Sequence, residues 1–352
     1  MQNAIPGETR RNLLRGLIAT TMFAALPRRS WAADAPFKEG AFVPLNGVEQ
    51  WVAMLGDRSD NPIVLILGGG PGTPTSYLAP LFDDWLSKMT VILWDQPGSG
   101  GTFLKNGGEP GIGPVTVDRF ARDGIALSEY LLKRFNRPKL ILVGFSWGSM
   151  VGLTMASRRP DLFSAYVGAG QAVDVRRADQ LSYALVIEAA RQRNDAAAVA
   201  ALEQLGPPPY SFDQRQTKQR YATAQTALER ANAARIGALL TPSAGPAPWI
   251  WPASLGPYDA RTAFLATQRA SYADAQAWTA RALGHRFKMP ILFVQGEQDA
   301  NTVTSLVQSY AAEIKAPRKQ VALIPGAGHN IIPYCVPELR SRIEAAVLPI
   351  VA

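Results

Sequence analysis

The chain has 352 residues, of which 47% are hydrophobic and 18% charged, so it is long enough for one large domain or a domain carrying an insertion. This composition excludes a disordered polymer and a small disulfide-stabilised scaffold. The single cysteine, Cys335, permits no intramolecular disulfide and no redox chemistry by a cysteine pair. Only two histidines, His285 and His329, can serve a mechanism that needs an imidazole.

The formal net charge of +8 raises the question of a nucleic-acid partner. Five arginines and one glutamate fall within the first 33 residues, which leaves a modest basic excess over the rest of the chain. That excess is dispersed and contains no run of five basic residues. Dispersed arginine is typical of a solvated surface, so we expect no nucleic-acid partner.

Residues 1–33 predict an export signal. Arg10-Arg11 and Arg15 precede an uncharged stretch from Gly16 to Leu26, and Ser30-Trp31-Ala32 offers small residues for cleavage. The stretch is shorter than the ~20 residues that span a bilayer, so we expect no stable membrane span. The arginine pair followed by two leucines resembles a twin-arginine signal, which predicts a periplasmic or secreted protein. An amphipathic cytoplasmic helix is the alternative.

The next elements predict an α/β fold. Asn46-Gly47 interrupts the apolar segment from Phe42 to Leu55 and favours a tight hairpin. Six nearly continuous apolar runs then follow, as in strands buried on both faces of a parallel sheet: Ile63–Leu67, Val91–Trp94, Leu140–Val143, Ala165–Gly168, Ile291–Val294 and Val321–Ile324. Helical segments lie between them, the clearest being Val117–Phe135 with Thr116 as its N-cap. We therefore expect a mostly parallel sheet flanked by helices.

One interval departs from this alternation. Residues 174–284 are rich in alanine, arginine and glutamine and contain no convincing strand. This region predicts a helical cap inserted into the α/β core, with residues 36–173 and 285–352 forming the two parts of that core.

The motif that carries the chemistry follows the Leu140–Val143 run directly and reads Gly144-Phe145-Ser146-Trp147-Gly148. This is G-x-S-x-G between a predicted strand and a predicted helix, where a sharp turn presents the hydroxyl of Ser146 to a substrate. The glycines relieve contact with the neighbouring chain. The alternative is a glycine-rich turn whose serine only caps the helix.

A nucleophilic serine requires a base, and the base requires an orienting carboxylate. His329 follows the Val321–Ile324 run in a glycine-rich loop and is the predicted general base, whereas His285 precedes a strand and suits packing. Asp299 lies beyond the Ile291–Val294 run and is the predicted partner of the base, with Glu297 as the competing acid.

The glycine-rich loop Leu67-Gly68-Gly69-Gly70-Pro71-Gly72 can supply one backbone N–H to an oxyanion, and Trp147 can supply a second. A phosphate-binding role is the alternative for this loop. It lacks the lysine of a P-loop, and Thr73 breaks the G-x-G-x-x-G pattern, so we expect no nucleotide cofactor.

Three loops together resemble the signature loops of the proline iminopeptidase family of α/β-hydrolases. They are Gly69-Gly70-Pro71-Gly72, Asp95-Gln96-Pro97-Gly98-Ser99-Gly100 and Ser146-Trp147-Gly148-Ser149. The chain order Ser146, Asp299, His329 also fits. The resemblance implies an α/β-hydrolase fold with a helical cap, an oxyanion hole from Gly70 and Trp147, no metal, and release of an N-terminal residue, usually proline.

The chain departs from that family at three positions near the site. Gly68 stands where the family usually has histidine, Pro97 where it has arginine, and Phe145 where glycine is common. An aminopeptidase must also hold a cationic amine, normally with acidic residues of the cap. None of the acids available here lies in a family motif, and a solvated helix face is the alternative for each: Glu188, Glu203, Asp213, Glu229, Asp259 and Asp274.

Five residues are predicted as substrate contacts. Trp249 and Trp251 can wall an apolar pocket or, alternatively, pack the cap onto the core. Gln171 follows a predicted strand and can reach the substrate from beneath the cap, while Gly69 and Phe145 adjoin the predicted nucleophile.

Together these features predict a secreted serine hydrolase, without cofactor or metal, that cleaves a small amide or ester through an acyl-enzyme. A proline iminopeptidase-type aminopeptidase acting on short peptides is the alternative, and a non-catalytic hydrolase-like binding protein is the rival from another class.

Overall fold

The computed structural model describes residues 35–111, 113–240, 247, 249–251 and 253–351. These residues belong to one compact unit, Trp31–Ala352. The predicted export signal at residues 1–33 lies outside the described residues.

Among the described residues, eight strands form a single sheet. Their bounds are β1 (Phe37–Leu45), β2 (Val48–Gly56), β3 (Ile63–Leu67), β4 (Thr90–Trp94), β5 (Leu140–Phe145), β6 (Phe163–Ala169), β7 (Ile291–Gly296) and β8 (Lys319–Ile324). The order across the sheet is β1-β2-β4-β3-β5-β6-β7-β8. The β1–β2 and β2–β4 pairs are antiparallel, and every pair from β4 to β8 is parallel. The predicted mostly parallel sheet is therefore confirmed.

The hairpin between β1 and β2 turns at Asn46-Gly47, as predicted. Both residues have positive φ, 49° and 86°, which glycine and asparagine adopt more readily than other residues. Leu45 pairs with Val48, so the turn contains two residues and sets the register of the first two strands.

The sheet is buried because alternate side chains of its strands enter two different apolar clusters. Leu65 and Leu142 belong to the cluster on one face, and Val64, Ile66 and Ile141 belong to the cluster on the other. Each such fully buried side chain contributes about 1.5–3 kcal/mol to stability. This two-sided burial explains the continuous apolar runs in the sequence.

Helices cover both faces. Their bounds are α1 (Gly100–Lys105), α2 (Val117–Phe135), α3 (Trp147–Arg158), α4 (Val175–Gln192), α5 (Ala196–Leu205), α6 (Phe212–Ala222), α7 (Ala227–Leu240), α8 (Ala260–Ala277), α9 (Thr304–Glu313), α10 (Ile331–Tyr334), α11 (Val336–Ala346) and α12 (Leu348–Val351). The side chain of Thr116 accepts a hydrogen bond from Arg119 N and caps α2, as the sequence predicted. Along the described helices, none combines the length and apolar character that a membrane crossing requires.

Residues 174–284, called the cap segment below, contain α4 to α8 in their described part. The β structure found there is an isolated bridge between Asp174 and Thr279, at the two ends of the segment. Val186, Leu202 and Ala222 belong to a small apolar cluster separate from the two that cover the sheet. The domain boundaries given from the sequence stay predictions.

The parallel strands place the predicted functional loops at one edge of the sheet. The glycine-rich loop follows β3, Ser146 follows β5, Asp299 lies beyond β7, and His329 lies beyond β8. Since parallel strands share one carboxyl edge, residues far apart in sequence meet there.

Candidate active site

Ser146 occupies a sharp turn between β5 and α3. Its φ of 53° and ψ of −116° are unfavourable for a residue with a side chain, and the local packing leaves no room to relax. A Cβ on Gly144 would lie 2.4 Å from the Gly148 carbonyl oxygen, and one on Gly148 would lie 2.2 Å from that of Leu67. Both glycines of the motif are therefore required by close backbone contact.

The structure brings the three residues of the predicted triad together. His329 Nε2 lies 2.9 Å from Ser146 Oγ, and His329 Nδ1 lies 2.9 Å from Asp299 Oδ2. Both distances are hydrogen-bond lengths. His329 and Asp299 are buried, whereas Ser146 is partly exposed. The arrangement can pass a proton from a serine hydroxyl to an imidazole whose other nitrogen is held by a carboxylate.

Asp299 is held in its charged form by its surroundings. Its Oδ1 accepts hydrogen bonds from the backbone N–H groups of Asn301 and Thr302, at 2.8 and 2.9 Å. Its Oδ2 accepts further bonds from Thr302 Oγ1 and Gln295 Nε2. Burial opposes the charge, but the His329 imidazole and the Thr302 donors outweigh it and keep the pKa of Asp299 below its ordinary value. Asp299 is thus an anion at neutral pH.

The His329 ring has three further neighbours, one of which is Thr302 Oγ1, 3.3 Å from Nδ1. It stacks on Phe145, with ring centroids 5.4 Å apart and an interplanar angle of 30°. Asn301 Nδ2 lies 3.1 Å from His329 Nε2, beside the contact to the serine. The imidazole is therefore fixed from its face and from both of its nitrogens.

A cavity opens beside Ser146 and encloses about 70 Å³. Gly70 and Trp147 line it together with the serine, so the structure brings both predicted oxyanion residues to the nucleophile. Trp147 is the first residue of α3, and the N–H groups of a helix's first turn lack acceptors within the helix. The cap segment contributes Arg215 and Gln268 to the lining of the cavity.

The loop after β4 contains Asp95 and Gln96, and it contacts Trp147 of the candidate site. Gln96 Oε1 accepts a hydrogen bond of 3.2 Å from the indole Nε1 of Trp147. The neighbouring Asp95 is completely buried and accepts hydrogen bonds from Ser76 N, Ser76 Oγ and Gly101 N. Burial raises the pKa of Asp95 to about 6 despite these donors.

The family model that describes the alpha/beta hydrolase fold matches residues 62–334, most of the chain. The chain belongs to the α/β hydrolase fold family. The resemblance predicted from the three loops is confirmed, since this α/β hydrolase is 26% identical to the probable aminopeptidase YbaC of Bacillus subtilis (strain 168), over 81% of the chain and 89% of that protein. It is 31% identical to a proline iminopeptidase of Lactobacillus helveticus (strain DPC 4571), over 32% of the chain and 36% of that enzyme.

Solved structures agree with the fold. The proline iminopeptidase-related protein TTHA1809 of Thermus thermophilus superposes with a TM-score of 0.61 and 17% identity, covering 90% of the chain and 99% of that protein. A thermophilic esterase of Thermogutta terrifontis superposes with a TM-score of 0.54 and 18% identity, covering 90% of the chain and 99% of that esterase. The predicted hydrolase enzyme class is thereby supported by relatives and fold together.

The remaining predicted substrate contacts in this α/β hydrolase lie outside the cavity. Trp251 packs between Tyr77 and Tyr258, with ring centroids 5.0 and 5.2 Å away, and Trp249 packs on the apolar cluster of the sheet. These tryptophans pack the cap segment onto the core, as in the alternative given in the sequence analysis. The indole of Trp51 also donates a hydrogen bond to the carbonyl oxygen of Ile250, which lies between them in the chain. Neither tryptophan lines the cavity in the described structure, and their role as substrate contacts stays a prediction.

The side chain of Gln171 is likewise bonded within the protein. It is completely buried, its Oε1 accepts a hydrogen bond from Tyr166, and its Nε2 donates to the carbonyl of Ala172. Its side chain is thus occupied inside the fold and does not line the cavity. Gly69 and Phe145 lie next to the triad, because a Cβ on Gly69 would be 3.0 Å from Ser146 Cβ and the Phe145 ring stacks on His329. Neither of them lines the cavity.

The six cap-segment acids considered in the sequence analysis do not line the cavity. Glu188, Glu203, Asp213 and Asp259 are exposed, Asp274 accepts a hydrogen bond from Val117 N, and Glu229 is buried beside the His329 loop. Asp174, at the start of the segment, is the acid that lines the cavity in the described structure. Within the described residues, no group of three or more His, Cys, Asp or Glu side chains is arranged to hold a metal ion.

Sequence reasoning missed the residues that support the triad. Asn301 and Thr302 follow Asp299 closely, and an aspartate that accepts N–H bonds from residues two and three positions ahead is a familiar turn pattern. That local signal was present. Gln295 donates to Asp299 from only four residues away, yet that spacing is no recognised motif. Arg215 lines the cavity and bonds Asp179 of another cap helix, so no local pattern marks it.

Proposed function

We propose that the protein is a serine hydrolase that cleaves a small amide or ester through an acyl-enzyme, with Ser146 as nucleophile, His329 as general base and Asp299 as its partner. The observation that carries the proposal is the continuous chain of contacts Asp299–His329–Ser146, each 2.9 Å long. A surface serine and histidine rarely acquire this arrangement together with a buried carboxylate.

The chemistry follows from the geometry. His329 Nε2 accepts the proton of Ser146 while Oγ attacks the substrate carbonyl carbon. The carbonyl oxygen becomes negative and is stabilised by the N–H groups of Gly70 and Trp147. The imidazolium then donates its proton to the leaving amine or alcohol, and the acyl group stays on Ser146. Water attacks this ester in the same way and releases the acid.

Ser146→Ala tests the proposal most directly. We expect kcat/KM for a short acyl aryl ester or a prolyl arylamide to fall at least about ten-thousandfold, because triad residues act as a unit. A fluorophosphonate probe should label the wild-type protein and fail to label the variant. Full turnover by the variant, or absence of labelling in the wild type, would falsify the assignment.

A second candidate is an aminopeptidase that releases an N-terminal residue. The names of the similar proteins favour it, and so does Asp174, an acidic residue that lines the cavity and can serve a substrate ammonium. One oxygen of Asp174 already accepts a bond from Arg177 N at the start of α4.

Paired assays separate the two candidates. An aminopeptidase should cleave prolyl arylamides well and acyl aryl esters poorly, and Asp174→Asn should raise KM for the arylamide alone. Efficient ester cleavage that is unaffected by Asp174→Asn supports the broader esterase or amidase.

A further inference from the structure

Glu229 of α7 contacts the loop that carries the proposed base. Its side chain is completely buried, although it belongs to the cap segment. Its Oε1 accepts hydrogen bonds from Gly328 N at 3.2 Å and from Asn330 N at 3.0 Å. These two N–H groups flank His329 in the chain, so one carboxylate oxygen holds the backbone on both sides of the imidazole.

The other oxygen fixes the helix. Glu229 Oε2 accepts a bond of 2.9 Å from Thr226 N, while Glu229 N donates to Thr226 Oγ1 at 3.3 Å. This reciprocal pair is a capping box at the first turn of α7. Asn330 Nδ2 is a fourth donor, 3.4 Å from Oε2. A single carboxylate therefore joins the start of a cap helix to the His329 loop.

A buried carboxylate is costly unless hydrogen bonds compensate its charge. The donors to Glu229 are three backbone N–H groups and one side-chain amide, all oriented toward the carboxylate. Because these donors occupy both oxygens, Glu229 is engaged with the protein itself and is not presented to a substrate amine.

We propose that Glu229 is a positioning residue for His329, through which the cap segment sets the distance between His329 Nε2 and Ser146 Oγ. This inference rests on the proposed function. The loop before His329 contains Gly326 and Gly328, which restrain the backbone little on their own. A misplacement of about 1 Å between reacting groups lowers a rate about a hundredfold. Gln298 N bonds the Ala327 carbonyl on one side of the loop, and Glu229 adds a restraint on both sides of the imidazole.

The test compares Glu229→Gln and Glu229→Ala with Thr226→Val. We expect kcat to fall about tenfold in Glu229→Gln, which keeps one acceptor oxygen, and about a hundredfold in Glu229→Ala, with KM changed less than about threefold in both. The rate of labelling by a fluorophosphonate should fall in parallel, since that small probe does not depend on substrate binding. Thr226→Val removes the hydroxyl of the capping box and should lower the melting temperature while leaving kcat unchanged.

The outcomes separate positioning from a purely structural role. If Glu229→Ala does not fold, Glu229→Gln carries the test. Wild-type kcat in a folded Glu229→Gln, an equal loss in Thr226→Val, or failure of both Glu229 variants to fold would each overturn the proposal. An inactive Ser146→Ala together with fully active Glu229 variants would refute only this inference, whereas an active Ser146→Ala would refute the proposed function itself.

Discussion

Ser146 and His329 face each other across 2.9 Å, yet the segments that hold them differ. Ser146 is positioned by its own turn, where Gly144 and Gly148 let backbone atoms approach so closely that a methyl group would not fit. His329 lies in a buried loop whose backbone donates hydrogen bonds to Glu229, and its imidazole bonds Asp299. The proposed nucleophile is therefore positioned by backbone packing, whereas the proposed base depends in addition on hydrogen bonds to two carboxylates.

Asp299→Asn should give the largest effect of the changes that probe this contrast. The carboxamide no longer stabilises the imidazolium or selects the tautomer with Nδ1–H, so we expect kcat to fall about ten-thousandfold with little change in fold. Glu297→Gln is the matched control. Glu297 is exposed, and its carboxylate accepts a hydrogen bond from Gly326 N in the loop that carries His329. Steady-state kinetics of both variants check the expectation, and an equal loss in the control would contradict it.

Gly148→Ala, in the turn that carries Ser146, should give the second largest effect, a loss of folding stability. The new methyl would meet the carbonyl oxygens of Leu67 and Gly68 at 2.2 and 2.6 Å, so the free energy of unfolding should fall by about 3 kcal/mol. Gly326→Ala in the histidine loop meets no atom within 4 Å and loses stability only through its φ of 71°, about 1 kcal/mol. Urea unfolding of the two variants measures the difference. A larger loss in Gly326→Ala would mean that the loop, and not the turn, is the tightly packed segment.

The smallest effect concerns acid stability. The pKa of Asp299 is lower in the folded protein than its ordinary value of 3.8, so its ionised form stabilises the fold. This contribution is fully present above about pH 4 and is lost as the pH falls through the folded pKa. The stability advantage of the wild type over Asp299→Asn should therefore shrink below about pH 4. Unfolding curves at about pH 7, 4 and 3 check this, and a constant difference would argue against charge as the restraint.

The nucleophile turn was predictable because its information is local. The pattern around Ser146, an apolar strand before it and a small-residue helix after it, specifies the geometry within about twenty residues. Asp299 and His329 were predictable because a parallel sheet delivers the ends of its strands to one edge. The bounds of α2 were equally local, since Thr116 begins the helix and the periodic apolar residues continue to Phe135.

The cap segment was predictable as helical but not in its contacts. Trp251 suits a pocket wall and a packed interface equally well, and only the position of Tyr77 and Tyr258 decides between them. Glu229 stands in a T-x-x-E pattern that predicts a helix start, but its second contact is with a loop about a hundred residues away in sequence. The contact between Glu229 and the His329 loop depends on how the cap segment packs on the core, so no short sequence motif predicts it.

The bonds from Glu229 to Gly328 and Asn330 also constrain how this enzyme can be re-engineered. Protein engineers often graft a foreign cap onto a hydrolase core to change what the enzyme accepts. In this protein, a graft without a carboxylate at that place would remove two hydrogen bonds to the loop of the proposed proton acceptor along with the old specificity. Chimeras should therefore retain the first turn of α7, and those that do should keep more of the parent's turnover than those that replace it.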